Sequence, residues 1–224
     1  MERELSPSQV PTQVEVALIS DRKRLTGEER RAQLIEVSQP LFAEHGYHHI
    51  SMDDIAFAAQ VTKPVLYKHF PSKYDLYLAV IADRAQALVA SARFELRATT
   101  KEPDRGFATV KAVINSYIHF VQDCGNNATI LLESDVSKDP YIREQLSAPH
   151  VEIAQEIVEH VPALSRLTSD DALTIAMTVT SIARSTALGL LRSTDKLALF
   201  EEEANSLLAR FTWHGISGIT AEKS

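Results

Sequence analysis

A single cysteine, Cys124, stands among 224 residues, so neither an intramolecular disulfide framework nor a multi-cysteine zinc site can be built. Glycine and proline are sparse, at 7 and 9, which favours long uninterrupted elements over many short strands and turns. No apolar run reaches the eighteen residues or so that a membrane-spanning helix asks for. The start, Met1-Glu2-Arg3-Glu4, lacks the basic opening and apolar stretch of a signal peptide, and a cytoplasmic protein without a membrane partner is expected. No activated nucleophile is visible either. Cys124 has His119 and Asp123 nearby in sequence but no strand-turn-helix elbow to frame it, so no enzyme, cofactor or metal is expected. His45, His48 and His49 beside Asp53 read as helix-end capping and solvated surface.

Apolar residues at 45% and charged residues at 24% describe an ordinary globular protein with length enough for one large domain or two small ones. The net charge of −7 argues against a nucleic-acid partner until it is divided along the chain. From Asp21 to Lys73 there are 8 basic and 7 acidic residues with four of the eight histidines, and from Tyr74 onward 14 basic and 20 acidic. The first segment is the least acidic part, so any DNA contact depends on where its cations sit rather than on their number.

The periodicity predicts an all-α chain. Residues 1–21 form an arm without sustained pattern. Thr26 with Glu29 is a capping box, Leu34, Ile35, Val37, Leu41 and Phe42 recur at helical spacing, and Gly46 is a stop. Ser51 caps a short second helix striped by Met52, Ile55, Ala56 and Ala59. After Gln60-Val61-Thr62, a third helix carries Pro64 in its first turn. Ser72, with Asp75 three residues on, opens a fourth helix from Lys73 to near Ala98, with Leu76, Val80, Ile81, Leu88 and Val89 inward. A fifth helix is expected from about Asp104 to Gln122 and a sixth from Ala128 to Glu133. A seventh starts at Asp139-Pro140 and is kinked or split at Pro149. The eighth is capped by Ser169, and the ninth, capped by Ser193 or Thr194, carries Phe200, Ala204, Leu207, Leu208 and Phe211. The domains expected are the arm, a DNA-binding unit over 22–72, and a ligand-binding and dimerisation unit over 73–224.

Two short helices joined by a few small or polar residues and buttressed by a preceding helix are a helix-turn-helix. Ile55, Ala56, Val61, Val65, Leu66 and Phe70 suit the inside. Thr62, Lys63, Tyr67, Lys68 and His69 remain outside. The actual residues say more. Phe42-Ala43-Glu44-His45-Gly46-Tyr47, Ile50 to Ala56, Val61-Thr62-Lys63-Pro64-Val65-Leu66-Tyr67-Lys68-His69-Phe70, Ser72-Lys73 and Leu76 together resemble the DNA-binding signature of TetR-family regulators over about fifty consecutive residues. Arg30-Arg31 through Ile81, Ile130 to Val136 and Phe211-Thr212-Trp213-His214-Gly215 are similar, more narrowly, to actinobacterial FasR-type regulators of fatty-acid synthesis.

The wider resemblance implies double-stranded operator DNA as partner. It places Tyr67 and His69 on backbone phosphates, with Lys73 doing the same from the start of the fourth helix. Thr62 and Lys63 approach base edges or phosphates, and Thr26, Ser51 and Lys68 are further candidates, with simple capping the alternative for Thr26 and Ser51. The narrower resemblance implies a small apolar effector, long-chain acyl-CoA. Candidate lining residues are Leu88, Phe94, Phe107, Val110, Ile114, Tyr117, Ile118, Val121 and Leu131, for which plain core is the other reading. Arg93, Arg97, Lys101 and Arg105 could meet the CoA head or merely solvate their joint. A homodimer through the eighth and ninth helices is expected, the small residues Ala183, Ser185, Ala187 and Gly189 allowing close approach. The alternatives to this reading are a multidrug-type or other small-molecule sensor, and a helical ligand-binding or interaction module without DNA affinity.

Overall fold

The computed structural model describes residues 25–136, 138–192 and 201–222, with side chains over 205–221 in the last segment. The expected arm over 1–21, the caps Ser193 and Thr194, and the side chains of Phe200 and Ala204 lie outside these. Among the described residues all regular structure is helical: α1 (Gly27–His49), α2 (Met52–Ala58), α3 (Lys63–His69), α4 (Lys73–Ala98), α5 (Arg105–Cys124), α6 (Thr129–Leu132), α7 (Pro140–His160), α8 (Ser169–Arg192) and α9 (Glu201–Glu222). Short 3-10 turns at Thr99–Lys101, Gly125–Ala128 and Pro162–Arg166 make joints between them.

The helix starts follow local chemistry. Thr26 Oγ1 accepts from the Glu29 amide at 3.2 Å while Glu29 accepts from the Thr26 amide at 2.8 Å. Ser51 with Asp54 repeats that reciprocal box, and the Ser72 hydroxyl accepts from the Asp75 amide at 3.1 Å. Each arrangement satisfies amides that the first helical turn would otherwise leave open. Gly46, at φ 75°, breaks α1 as the sequence predicts, and a last turn continues to His49. Pro149 leaves α7 unsplit: the helix runs through it from Pro140 to His160.

In the larger unit α5 is the central helix, packed against α4, α8 and α9. Val110, Val113, Ile114, Tyr117, Ile118, Phe120 and Val121 are all buried on it. The buried face of α8 is made of small residues, Ala172, Ala176, Val179, Thr180, Ala183 and Ala187, which lets its backbone approach α5 closely. Two of the four small residues expected at a dimer contact, Ala183 and Ala187, are thus buried inside the protomer, while Ser185 and Gly189 are exposed. By length and composition α8 is apolar enough to cross a membrane, with a mean hydropathy of 1.3 over its most apolar stretch. It packs against α5 along its buried stripe of small residues.

α9 has a buried face of mixed character and an exposed apolar one. Ala209 and Ile216 lie buried with Asn205, Thr212 and Thr220, at spacings of three to four residues. Leu207, Phe211 and Ile219 project from another face, and Phe211 is 72% exposed.

Candidate DNA interface and effector cavity

Leu66, fully buried, and Phe70 pin α3 to the head, where they join Ile55 and Ala56 of α2 in the core. The Arg31 guanidinium lies 4.7 Å from the centroid of the Phe70 ring, tying α1 to the end of α3. With its inner residues so held, α3 turns Lys63, Tyr67 and Lys68 to solvent and leaves His69 half-buried. Val65, placed inside by the sequence pattern, is at the surface instead, 36% exposed. In a helix of seven residues Leu66 alone is buried, so the position just before it falls on the outer side.

The individual contacts sort the expected DNA residues. Thr62 caps α3 with no side-chain hydrogen bond, so its hydroxyl is unused by the helix. Lys63 Nζ pairs with Asp53 Oδ1 at 2.7 Å, both side chains being well exposed. Hydrogen bonding and charge from Asp53 hold the Lys63 ammonium above its ordinary pKa. Thr26 and Ser51 have their hydroxyls in capping boxes. Lys73 is turned inward, its Nζ donating to the carbonyls of Tyr47 and Ile50, both at 2.8 Å, and lying 4.3 Å from the Tyr47 ring centroid. Of the expected phosphate contacts, Lys73 is the one the free protein does not present.

The joint between the head and the larger unit carries no local signal in the sequence. The Tyr77 hydroxyl meets Ser134 Oγ at 2.9 Å, and the Tyr47 amide donates to Asp135 Oδ1 at 3.5 Å. Gly46 is required there for its positive φ, and an ideal Cβ on it would fall 2.7 Å from Asp135 Oδ2, so that carboxylate would have to shift.

The expected effector residues do not enclose one cavity. Leu88, Val110, Ile114 and Tyr117 are fully buried, and Ile118, Val121 and Leu131 nearly so, all in a continuous core. These side chains meet one another rather than a void, as interiors at native packing density do. Phe107 is half-buried, and Phe94 is 74% exposed on an open groove between α4 and α7. The four cations expected for a CoA head do not act together either. Arg93 is taken by Glu152 at 2.8 Å and Glu156 at 3.0 Å, and Arg105 Nε is buried without a hydrogen-bond partner among the described residues.

A cavity of about 430 Å³ does open, between α6, α7 and α8. Of the expected residues only Leu131 lines it. His150 also lines it and is buried, with Nδ1 2.6 Å from the Tyr117 hydroxyl. Burial, with a smaller contribution from the Arg184 charge, pushes the His150 pKa down to about 4, and burial pushes the Tyr117 hydroxyl up. The sequence marked α7 by its start at Asp139-Pro140 and by Pro149. A histidine one residue later carries no local signal of a partner 33 positions away.

With this geometry in place the chain can be set beside known proteins. Residues 34–80 match the family model of bacterial regulatory proteins, tetR family. The chain is 29% identical over 201 residues to the HTH-type transcriptional activator FasR of Mycolicibacterium smegmatis, covering 90% of this chain and 89% of the relative. Salmonella enterica GusR superposes with a TM-score of 0.64 at 20% identity, over 87% of this chain and 98% of GusR. AibR, solved in complex with isovaleryl coenzyme A and operator DNA, superposes with a TM-score of 0.55 at 19% identity, over 71% of this chain and 86% of that one. The chain therefore carries a tetR-type regulatory domain over residues 34–80. Along most of its length it resembles FasR.

Proposed function

We propose that this regulator grips operator DNA as a homodimer through the outward face of α3 and changes that grip when an acyl effector binds its larger helical unit, over 73–224. The observation that carries the DNA reading is the division of labour on α3. Leu66 is buried and anchors the helix, while Thr62, Lys63, Tyr67 and Lys68 are exposed. The pair interface proposed is the outer face of α9, Leu207, Phe211 and Ile219, with the exposed side of α8. A two-fold pair would set the two α3 helices about one DNA turn, ~34 Å, or somewhat more apart.

The effector reading comes from likeness. The resemblance to FasR-type regulators implies long-chain acyl-CoA, and AibR holds isovaleryl coenzyme A. Lipid or fatty-acid genes are the corresponding targets. Each methylene removed from water contributes about 0.8 kcal/mol, so an acyl-CoA series should show affinity rising steeply with chain length.

Selection of bound genomic fragments, followed by binding at several salt concentrations, tests the DNA reading. A regulator yields a common sequence and an affinity that falls linearly in log–log form with salt, because phosphate contacts release counterions. A helical module without DNA affinity yields neither. Titrating the complex with acyl-CoAs tests the effector, and indifference to all of them beside a response to drug-like compounds would return the multidrug-type sensor.

A further inference from the structure

The cavity between α6, α7 and α8 combines a hydrogen-bond donor with nothing to donate to, unpaired cationic charge and an apolar floor. His150 is 6% exposed, and its Nε2 is buried with no hydrogen-bond partner among the described residues. Its other nitrogen meets the Tyr117 hydroxyl. Among the described residues that hydroxyl has no other hydrogen-bond partner, so its proton goes to Nδ1, and the neutral imidazole then carries its own proton on Nε2. A buried donor left unsatisfied is expensive to keep, and a ligand acceptor would satisfy it.

Arg143 and Arg184 also line the cavity, and neither forms an ion pair among the described residues. The lone carboxylate in the lining, Glu133, is already paired with Arg192. The site therefore has a net positive charge. Leu131, Leu146 and Met177 give it an apolar floor. The Arg184 charge is close enough to act on both Tyr117 and His150.

We infer that this cavity is a binding site for an alkyl carboxylate, whose oxygens accept from His150 Nε2–H and face Arg143 and Arg184 while its tail lies on Leu131, Leu146 and Met177. The inference rests on the effector-responsive reading above but not on a thioester. A volume of about 430 Å³ suits a small ligand, whereas an acyl-CoA would bring a large phosphorylated head with it. A guanidinium pair recognises the planar carboxylate in bidentate fashion, which a neutral alcohol cannot match.

The test is calorimetric titration of the full chain with octanoate and decanoate, beside decanol and decanoyl-CoA. Wild-type protein should bind decanoate more tightly than octanoate. Arg184→Gln, at an exposed position, should weaken decanoate binding about tenfold or more, since charge-assisted hydrogen bonds are lost, while the circular dichroism spectrum and sedimentation stay as in wild type. His150→Phe keeps the ring and removes the donor, and should weaken binding in the same direction. Equal binding of decanol, binding indifferent to Arg184→Gln, or a response to decanoyl-CoA alone would each overturn the carboxylate site. Binding of genomic DNA by the same preparation separates the two readings. DNA binding without any carboxylate response sinks only this inference, and absence of DNA binding sinks the regulator reading itself.

Discussion

Trp213 fills the space that a side chain at Gly106 would need: an ideal Cβ on Gly106 falls 1.9 Å from the indole Cη2. The same indole donates from Nε1 to Asp104 Oδ2 at 3.1 Å, while Asp104 Oδ1 accepts from the Phe107 amide and caps α5. One carboxylate thus starts the central helix and seats the last one. Gly106→Ala should therefore lower stability by about 1–3 kcal/mol, as overpacking does. Trp213 is the only tryptophan, so its fluorescence reports the contact directly. An unchanged emission spectrum and midpoint in Gly106→Ala would contradict the packing.

The outer face of α9 yields a second expectation. Phe211→Asp places a charge in the proposed pair interface, where burying it unpaired is strongly unfavourable. Sedimentation should show monomers at concentrations where wild type is paired. The far-ultraviolet circular dichroism should hold, because Phe211 contributes little to the core of its own chain. A dimeric Phe211→Asp protein would move the interface elsewhere.

Gln60, in the turn of the helix-turn-helix, has φ 54° and is the one non-glycine with positive φ among the described residues. Holding an L-residue there costs about 1–2 kcal/mol, partly offset by the entropy glycine loses on folding. Gln60→Gly should raise the unfolding midpoint slightly, by an amount corresponding to about 0.5–1 kcal/mol, with DNA affinity equal or better. A lower midpoint would mean the glutamine side chain has a contact of its own.

The reading head separates two kinds of lysine. Lys68→Ala should flatten the slope of log affinity against log salt by about 0.9, with stability unchanged. Lys63→Ala should relax sequence preference. Lys73→Met should instead lower the stability of the DNA-free protein, because it leaves the Tyr47 and Ile50 carbonyls without their donor. A Lys73→Met protein as stable as wild type would show those two bonds to be incidental.

His150 predicts an acid limb. Its folded pKa is about 4 against an ordinary 6.5, so between those values the unfolded chain binds a proton that the folded chain refuses. Stability from this group is present above pH 6.5, falls as pH drops toward 4, and levels off below. The full difference is on the order of 3 kcal/mol. Urea unfolding from pH 7 to 4 should show a steeper loss in wild type than in His150→Phe, and parallel curves would mean the imidazole titrates normally.

The parts legible in the sequence were those set by neighbours three or four residues apart. Thr26 with Glu29, Ser51 with Asp54 and Ser72 with Asp75 are short-range chemistry, and the inward positions Leu76, Val80, Ile81, Leu88 and Val89 follow from helical spacing. The recognition helix was legible for the same reason. Contacts between distant segments were not. Tyr117 and His150 are 33 residues apart, Tyr77 and Ser134 57, and Trp213 and Asp104 109, and periodicity carries no information about such pairs. Apolar character alone also misplaced a residue. It marked Val65 as interior although that residue reaches the surface, and it left open whether Leu88, Ile114 and Ile118 are packed core or the wall of a cavity.

Ser134 and Asp135 have a consequence for genetics. Ser134 lines the α6–α7–α8 cavity and also meets Tyr77, and its neighbour Asp135 meets Tyr47 beside Gly46. Two adjacent codons therefore govern both the wall a ligand would press on and the seat of the reading head. A screen for alleles deaf to the inducing compound and a screen for alleles with altered promoter occupancy in its absence should return the same positions. Nonresponsive and constitutive phenotypes, usually scattered over a gene, would map here to neighbouring bases.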